Sequence, residues 1–139
     1  QVTATDIYPP TLEVAKENAI RHGLVDVQFA CGTWFEALNP QKFDLIVSNP
    51  PYIDPEDVHM QKLKSEPERA LMADHQGLAD IETIIVEGKT WLKSNGWIVL
   101  EHGYDQGQKV REIFNQQGFS QIQTIQDYGG NDRVSLGQY

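Results

Sequence analysis

Phe43-Asp44-Leu45-Ile46-Val47-Ser48-Asn49-Pro50-Pro51-Tyr52 is the stretch whose reading decides the fold. A short apolar run that ends in a polar residue and two consecutive prolines reads as a buried β-strand stopping abruptly at its carboxyl end. Pro50 and Pro51 have fixed φ and no N–H, so the backbone there is stiff and its carbonyls are free to face a ligand. Asn49 contributes an amide that both donates and accepts, and Tyr52 an aromatic face with a hydroxyl. This set of groups suits recognition of a planar amide or amino group. A strand-terminating turn is the plainer alternative.

Working outward from this strand, helices and strands alternate. Val2–Asp6 reads as a strand, followed by a helix from the Tyr8-Pro9-Pro10 segment to about Arg21, with proline in its first turn and Gly23 past its end. Leu12, Ala15, Ala19 and Ile20 form its apolar stripe. Val25, Val27 and Phe29 alternate with polar residues and predict a second strand ending near Cys31-Gly32. After Tyr52, residues 53–76 form a long charged connection without a clean period, read as a cover over the site. Leu78, Ile81, Ile85, Gly88 and Leu92 then predict an amphipathic helix closed by Asn95-Gly96, and Trp97–Leu100 a buried strand. Asp105 is the expected N-cap of a helix lined by Val110, Ile113 and Phe114 and stopped at Gly118. The tail, 119–127 and 133–138 around a Tyr128–Asp132 turn, carries a hairpin pattern.

This order predicts an α/β fold: a mostly parallel, Rossmann-like sheet with a C-terminal antiparallel hairpin. Such sheets bind ligands outside the carboxyl ends of their strands. Asp6, the segment Gly32-Thr33-Trp34, and Asn49–Tyr52 all fall at such ends. A carboxylate in Asp6's position suits ribose hydroxyls, although it could equally serve a helix N-terminus. Trp34 could edge a planar base or simply fill core.

At 139 residues, 40% hydrophobic and 22% charged, the chain reads as one ordinary globular domain, 1–139. No apolar run reaches membrane-spanning length and no signal-peptide pattern opens the sequence, so a cytoplasmic protein without membrane contact is expected. A net charge of −9 with only 11 Lys and Arg argues against direct nucleic-acid binding. Cys31, the single cysteine, permits no internal disulfide and is read as a small buried hydrophobe; no metal site is expected. His22, His59, His75 and His102 are scattered and read as surface or packing residues rather than catalytic groups.

An acidic strand end, a loop after the second strand and Asn-Pro-Pro-Tyr after the next, in that order, resemble the class I S-adenosylmethionine-dependent methyltransferases that methylate planar nitrogens. Within them the chain resembles the release factor glutamine methyltransferases. The supporting segments are Asp6 with Ala15–Ala19, Trp34-Phe35, Ile46–Ile53, Glu66-Pro67 with Ala70-Leu71, Leu100–Gly103 and Asn131–Val134. The resemblance implies transfer of a methyl group from S-adenosylmethionine to the glutamine amide of the Gly-Gly-Gln motif of peptide chain release factors. By position it implies that Asp6 holds the ribose, that Thr33 and Trp34 flank the adenine, and that Asn49 touches both cofactor and substrate. Asn49, Pro50, Pro51 and Tyr52 would cradle the substrate amide.

Two departures accompany the resemblance. Thr33 stands where the family usually has an acidic residue, and it accepts more weakly. The family's first strand and glycine-rich loop should precede Gln1, so the catalytic domain is read as truncated at its N-terminus. An unfilled central position exposes strand edges, which predicts a closed gap, a strand borrowed by self-association, or a longer protein. An inactive fragment serving as a binding or assembly module is therefore one alternative function. An adenine-N6 DNA methyltransferase, using a similar tetrapeptide on a flipped base, is the other.

Overall fold

The computed structural model describes residues 1–52 and 77–139. The expected cover, 53–76, and with it His59, His75, Glu66-Pro67 and Ala70-Leu71, lies outside the described residues. The described residues form two compact units, Gln1–Gln41 and Lys42–Tyr139.

The first unit is a β-α-β motif. β1 (Val2–Asp6) and β2 (Val27–Cys31) pair in parallel, Asp6 opposite Cys31, with α1 (Pro9–Arg21) between them. Proline opens α1 because the missing N–H there would have no intrahelical partner. Leu12 and Ala19 are its buried residues. Ile20, expected in the stripe, is 75% exposed, because the buried arc of this helix is narrower than the sequence spacing suggests. Val25 is 84% exposed and precedes β2, since the chain is still in the turn leaving α1 at that point. Cys31 is also exposed, its thiol directed at the Ile7 carbonyl oxygen at 3.6 Å, which corrects its reading as a buried hydrophobe.

In the second unit the sheet order is β3-β4-β6-β5, formed by β3 (Phe43–Ser48), β4 (Leu92–Glu101), β5 (Ser120–Gln126) and β6 (Asp132–Gln138). β3 and β4 are parallel, and β6 runs antiparallel to both β4 and β5. The tail is thus the expected hairpin, with β6 inserted between β4 and β5. Helices α2 (Ala79–Trp91) and α3 (Gly107–Gln116) supply the rest of the core. Ile81, Ile84 and Ile85 of α2, Val110 and Phe114 of α3, and Ile98 and Leu100 of β4 are at most 1% exposed. Phe114 meets Phe119 edge to face at 5.2 Å between ring centroids, a favourable aromatic geometry.

Three expectations shift. β3 is not a fully buried strand: Leu45 and Val47, which share one face of the sheet, are 53% and 67% exposed. β4 begins at Leu92 rather than Trp97, since Leu92 pairs with Phe43; Asn95, at φ +64, lies within the strand instead of closing the helix. The N-cap of α3 is Gln106, not Asp105. Among the described residues no helix is long and apolar enough to cross a membrane.

Candidate functional site

The sequence-derived site residues fall into two clusters, one in each unit. In the first unit, Asp6 ends β1 and the Gly32–Trp34 turn leaves β2 beside it, joined by a bond from the Gly32 N–H to the Asp6 carbonyl at 3.1 Å. Oδ1 of Asp6 accepts the Tyr8 N–H at 2.7 Å, so the carboxylate does orient the start of α1. Thr33 accepts the Glu36 N–H through its carbonyl at 2.9 Å, closing a tight turn. Trp34 sits in that turn at φ +45, a left-handed conformation that costs a bulky L-residue roughly 1–2 kcal/mol. Trp34 is part-buried there. A carboxylate acceptor and an aromatic side chain at adjoining strand ends are the groups that a ribose and a planar base would require.

In the second unit, Asn49–Tyr52 leave the carboxyl end of β3. Asn49 is exposed while Pro50 is buried, so the tetrapeptide is anchored by its prolines and presents its amide. Tyr52 is fixed at both ends. Its hydroxyl donates to Oε1 of Glu101, the last residue of β4, at 3.1 Å. Its carbonyl accepts from Nε2 of Gln106 at 2.9 Å. Burial, reinforced by the Glu101 carboxylate, pushes the Tyr52 phenol above its ordinary range.

Behind Tyr52 lies a polar network that the sequence reading did not assemble. His102 is fully buried; its Nδ1 lies 2.8 Å from the Gly103 carbonyl and its Nε2 2.8 Å from the Ser135 hydroxyl. A carbonyl can only accept, so Nδ1 carries the proton and Nε2 accepts from Ser135. Ser135 in turn lies 2.8 Å from the Thr124 hydroxyl, which accepts from Arg111 at 2.6 Å. Burial holds the His102 pKa below its ordinary value. Arg133 donates to the His102 carbonyl at 3.2 Å and pairs with Asp127 at 3.4 Å. Asp127 also accepts the Gly129 and Asn131 N–H groups at 2.8 and 3.0 Å, bonds that hold its carboxyl below the usual range. The hairpin turn is thereby tied to the end of β4.

Gln106 and Glu101 were missed as supporting residues. Gln106 is one of several glutamines in this part of the chain, and its only local sign is the Gly103-x-x-Gln106 spacing, which allows a side chain to reach back three residues.

The mixed α/β sheet with its terminal hairpin and its polar strand ends is that of the class I methyltransferases. A methyltransferase from Pyrococcus furiosus superposes with a TM-score of 0.74 at 21% identity, over 99% of this chain and 61% of its own. A methyltransferase domain model matches residues 1–130, and the chain belongs to that family. It is also similar along its length to release factor glutamine methyltransferases. The protein of that name from Vibrio cholerae is 48% identical over all of this chain and 50% of its own length. The one from Salmonella typhimurium is 43% identical over all of this chain and 51% of its own. The chain spans about half the length of the curated relatives it matches.

Proposed function

We propose that this chain is catalytic sequence of a protein-(glutamine-N5) methyltransferase that uses S-adenosylmethionine and acts on the Gly-Gly-Gln glutamine of peptide chain release factors in the cytoplasm. The observation that carries this reading is the Asn49–Tyr52 tetrapeptide: an exposed Asn49 amide at a strand end, anchored by buried Pro50 and by Tyr52 held at both carbonyl and hydroxyl.

A carboxamide nitrogen is a poor nucleophile because its lone pair is delocalised. The site must therefore act by orientation and by carbonyl acceptors rather than by a strong base. When bound, S-adenosylmethionine supplies an electrophilic methyl group on a sulfonium. Asn49 Oδ1 and the Pro50 carbonyl accept the two N–H bonds of the substrate amide, aim its nitrogen at that methyl and stabilise the positive charge that develops there. The amide proton is lost to solvent after transfer. Asp6 accepts from ribose hydroxyls, and Thr33 and Trp34 border the adenine.

The test is mass spectrometry of a release factor incubated with S-adenosylmethionine and the intact protein, unsubstituted or as Asn49→Ala. The unsubstituted protein should add one methyl group to the Gly-Gly-Gln glutamine, and Asn49→Ala should slow transfer by about a hundredfold or more. A glutamine left unmethylated by the unsubstituted protein ends the proposal.

A further inference from the structure

We propose that Gln106 is a positioning residue for methyl transfer: its side-chain amide fixes the Tyr52 carbonyl and thereby the carboxyl end of the Asn49–Tyr52 cradle. This inference rests on the reading of that tetrapeptide as the substrate-amide cradle.

Gln106 is 7% exposed, and both ends of its amide are engaged by backbone. Oε1 accepts the Gly103 N–H at 2.8 Å and Nε2 donates to the Tyr52 carbonyl at 2.9 Å. One planar group therefore bridges the loop after β4 to the loop after β3, 54 residues apart in sequence. The bridge has a required polarity, because an N–H faces one end and a C=O the other. The backbone of Gln106 is fixed too, since its N–H donates to the Gly103 carbonyl at 3.0 Å and its own carbonyl accepts the Val110 N–H at 3.0 Å as α3 begins. Gly77 closes the other side: a Cβ there would fall on the Tyr52 carbonyl and lie 2.7 Å from Gln106 Nε2. Only a bare backbone leaves room for the bridge.

The consequence is chemical as well as mechanical. With one lone pair of the Tyr52 carbonyl engaged by Gln106, the cradle is held at its carboxyl end while Asn49 and Pro50 lie upstream of that fixed point. Their direction depends on a backbone that Gln106 holds at Tyr52, three residues past Asn49 and two past Pro50. Glutamine is the side chain that can do this; glutamate has the same shape but sets a carboxylate oxygen against the Tyr52 carbonyl.

Gln106→Glu is therefore the test, because it keeps the bond from Gly103 and reverses the one to Tyr52. In the intact protein, at about pH 8, kcat for methylation of a Gly-Gly-Gln peptide should fall about tenfold or more, with KM for S-adenosylmethionine within about twofold. The deficit should shrink toward about pH 5.5, where the protonated glutamate again donates to Tyr52. A merely structural role predicts lost unfolding stability with kcat of the folded variant unchanged. Activity within about twofold of the unsubstituted protein at high pH, or a deficit that stays constant with pH, overturns the proposal.

The carbonyl carbon resonance of Tyr52 gives a readout independent of catalysis, and it should move in the variant at high pH and return at low pH. If the unsubstituted protein methylates nothing, the functional reading falls, while this resonance still decides whether Gln106 bridges to the Tyr52 carbonyl. Should Gln106→Glu fail to fold, Gln106→Met removes the donor without adding charge; it should shift the same resonance and lower kcat with no acid recovery. An unmoved resonance in the folded variant refutes the bridge.

Discussion

Replacing Gly77 by alanine should cost far more than an ordinary glycine substitution, and the excess measures the Tyr52 contact. Gly77 has φ +74, where an L-residue is disfavoured by roughly 1–2 kcal/mol. The added methyl would also fall on the Tyr52 carbonyl oxygen and lie 2.6 Å from its carbon. A backbone carbonyl cannot swing aside as the end of a flexible side chain can. Either the Gln106–Tyr52 bond opens, leaving a poorly solvated carbonyl at a cost of about 1–3 kcal/mol, or the segment entering α2 shifts at a similar cost. The total is about 2–5 kcal/mol, a large part of a typical domain's stability of about 5–15 kcal/mol. Gly118→Ala provides the control within the same unit: φ is +79, but a Cβ there meets nothing within 4 Å, so only the conformational cost remains. Urea unfolding followed by tryptophan fluorescence compares the two, and the methylation assay reads the cradle. If the two variants differ by less than about 0.5 kcal/mol and Gly77→Ala keeps full activity, the contact does not constrain Tyr52.

Burial lowers the pKa of His102, so between that depressed value and about 6.5 the unfolded chain binds the extra proton. Stability should rise with pH through that window, by at most about 1.4 kcal/mol per pH unit, and be lost as pH falls through it; urea titrations in which His102→Gln keeps the full slope would exclude His102 as its source. Asp6→Asn should weaken S-adenosylmethionine binding to the intact protein by about tenfold or more in calorimetry, because the charge-assisted hydrogen bonds proposed to the ribose would be lost. The asparagine oxygen can still accept the Tyr8 N–H, so α1 should keep its start; unchanged affinity would remove Asp6 from the cofactor site.

What could be read from the sequence was whatever local chemistry dictates. Paired prolines located the start of α1 and the end of β3, and apolar spacing located α2 and α3 with Ile81, Ile85, Gly88, Val110 and Phe114 of their buried residues, while it passed over Ile84 and included the part-buried Leu78 and Ile113. Glycine and asparagine in the 128–132 segment located the hairpin turn. Exposure was less legible, because it depends on what lies opposite. Leu45 and Val47 have the pattern of an interior strand, yet their accessibility is set by what covers their face of the sheet, which local sequence does not specify. The same limit explains Cys31 and Ile20. Asp105 was a reasonable cap by residue type, but the Gln106 side chain satisfies the Gly103 N–H before the helix begins and shifts the cap by one. Asn49–Tyr52 could be recognised as a stiff polar element because its properties are covalent. Its supports, Glu101, Gln106 and Gly77, come from distant segments and become visible only once the chain is folded.

The raised pKa of Tyr52 constrains what the tetrapeptide can do. Burial and the neighbouring Glu101 carboxylate both disfavour a phenolate, so the hydroxyl keeps its proton at neutral pH and spends it on Glu101. Tyr52 is thus a poor general base, and the proposed mechanism has no need of one, because an amide nitrogen loses its proton readily once the methyl has been transferred. What remains is placement. β3 alone is a weak source of it, with Leu45 and Val47 well exposed and Asn49 beyond its end. The firm elements lie across the sheet: Ile98 and Leu100 fully buried in β4, His102 buried behind the following loop, and Arg133 clasping that loop from the hairpin. Glu101 and Gln106 transmit this rigidity to Tyr52 through its hydroxyl and its carbonyl. In the proposed reading the accuracy of the amide cradle originates in β4 and the start of α3, and substitutions there should lower kcat before they alter cofactor affinity.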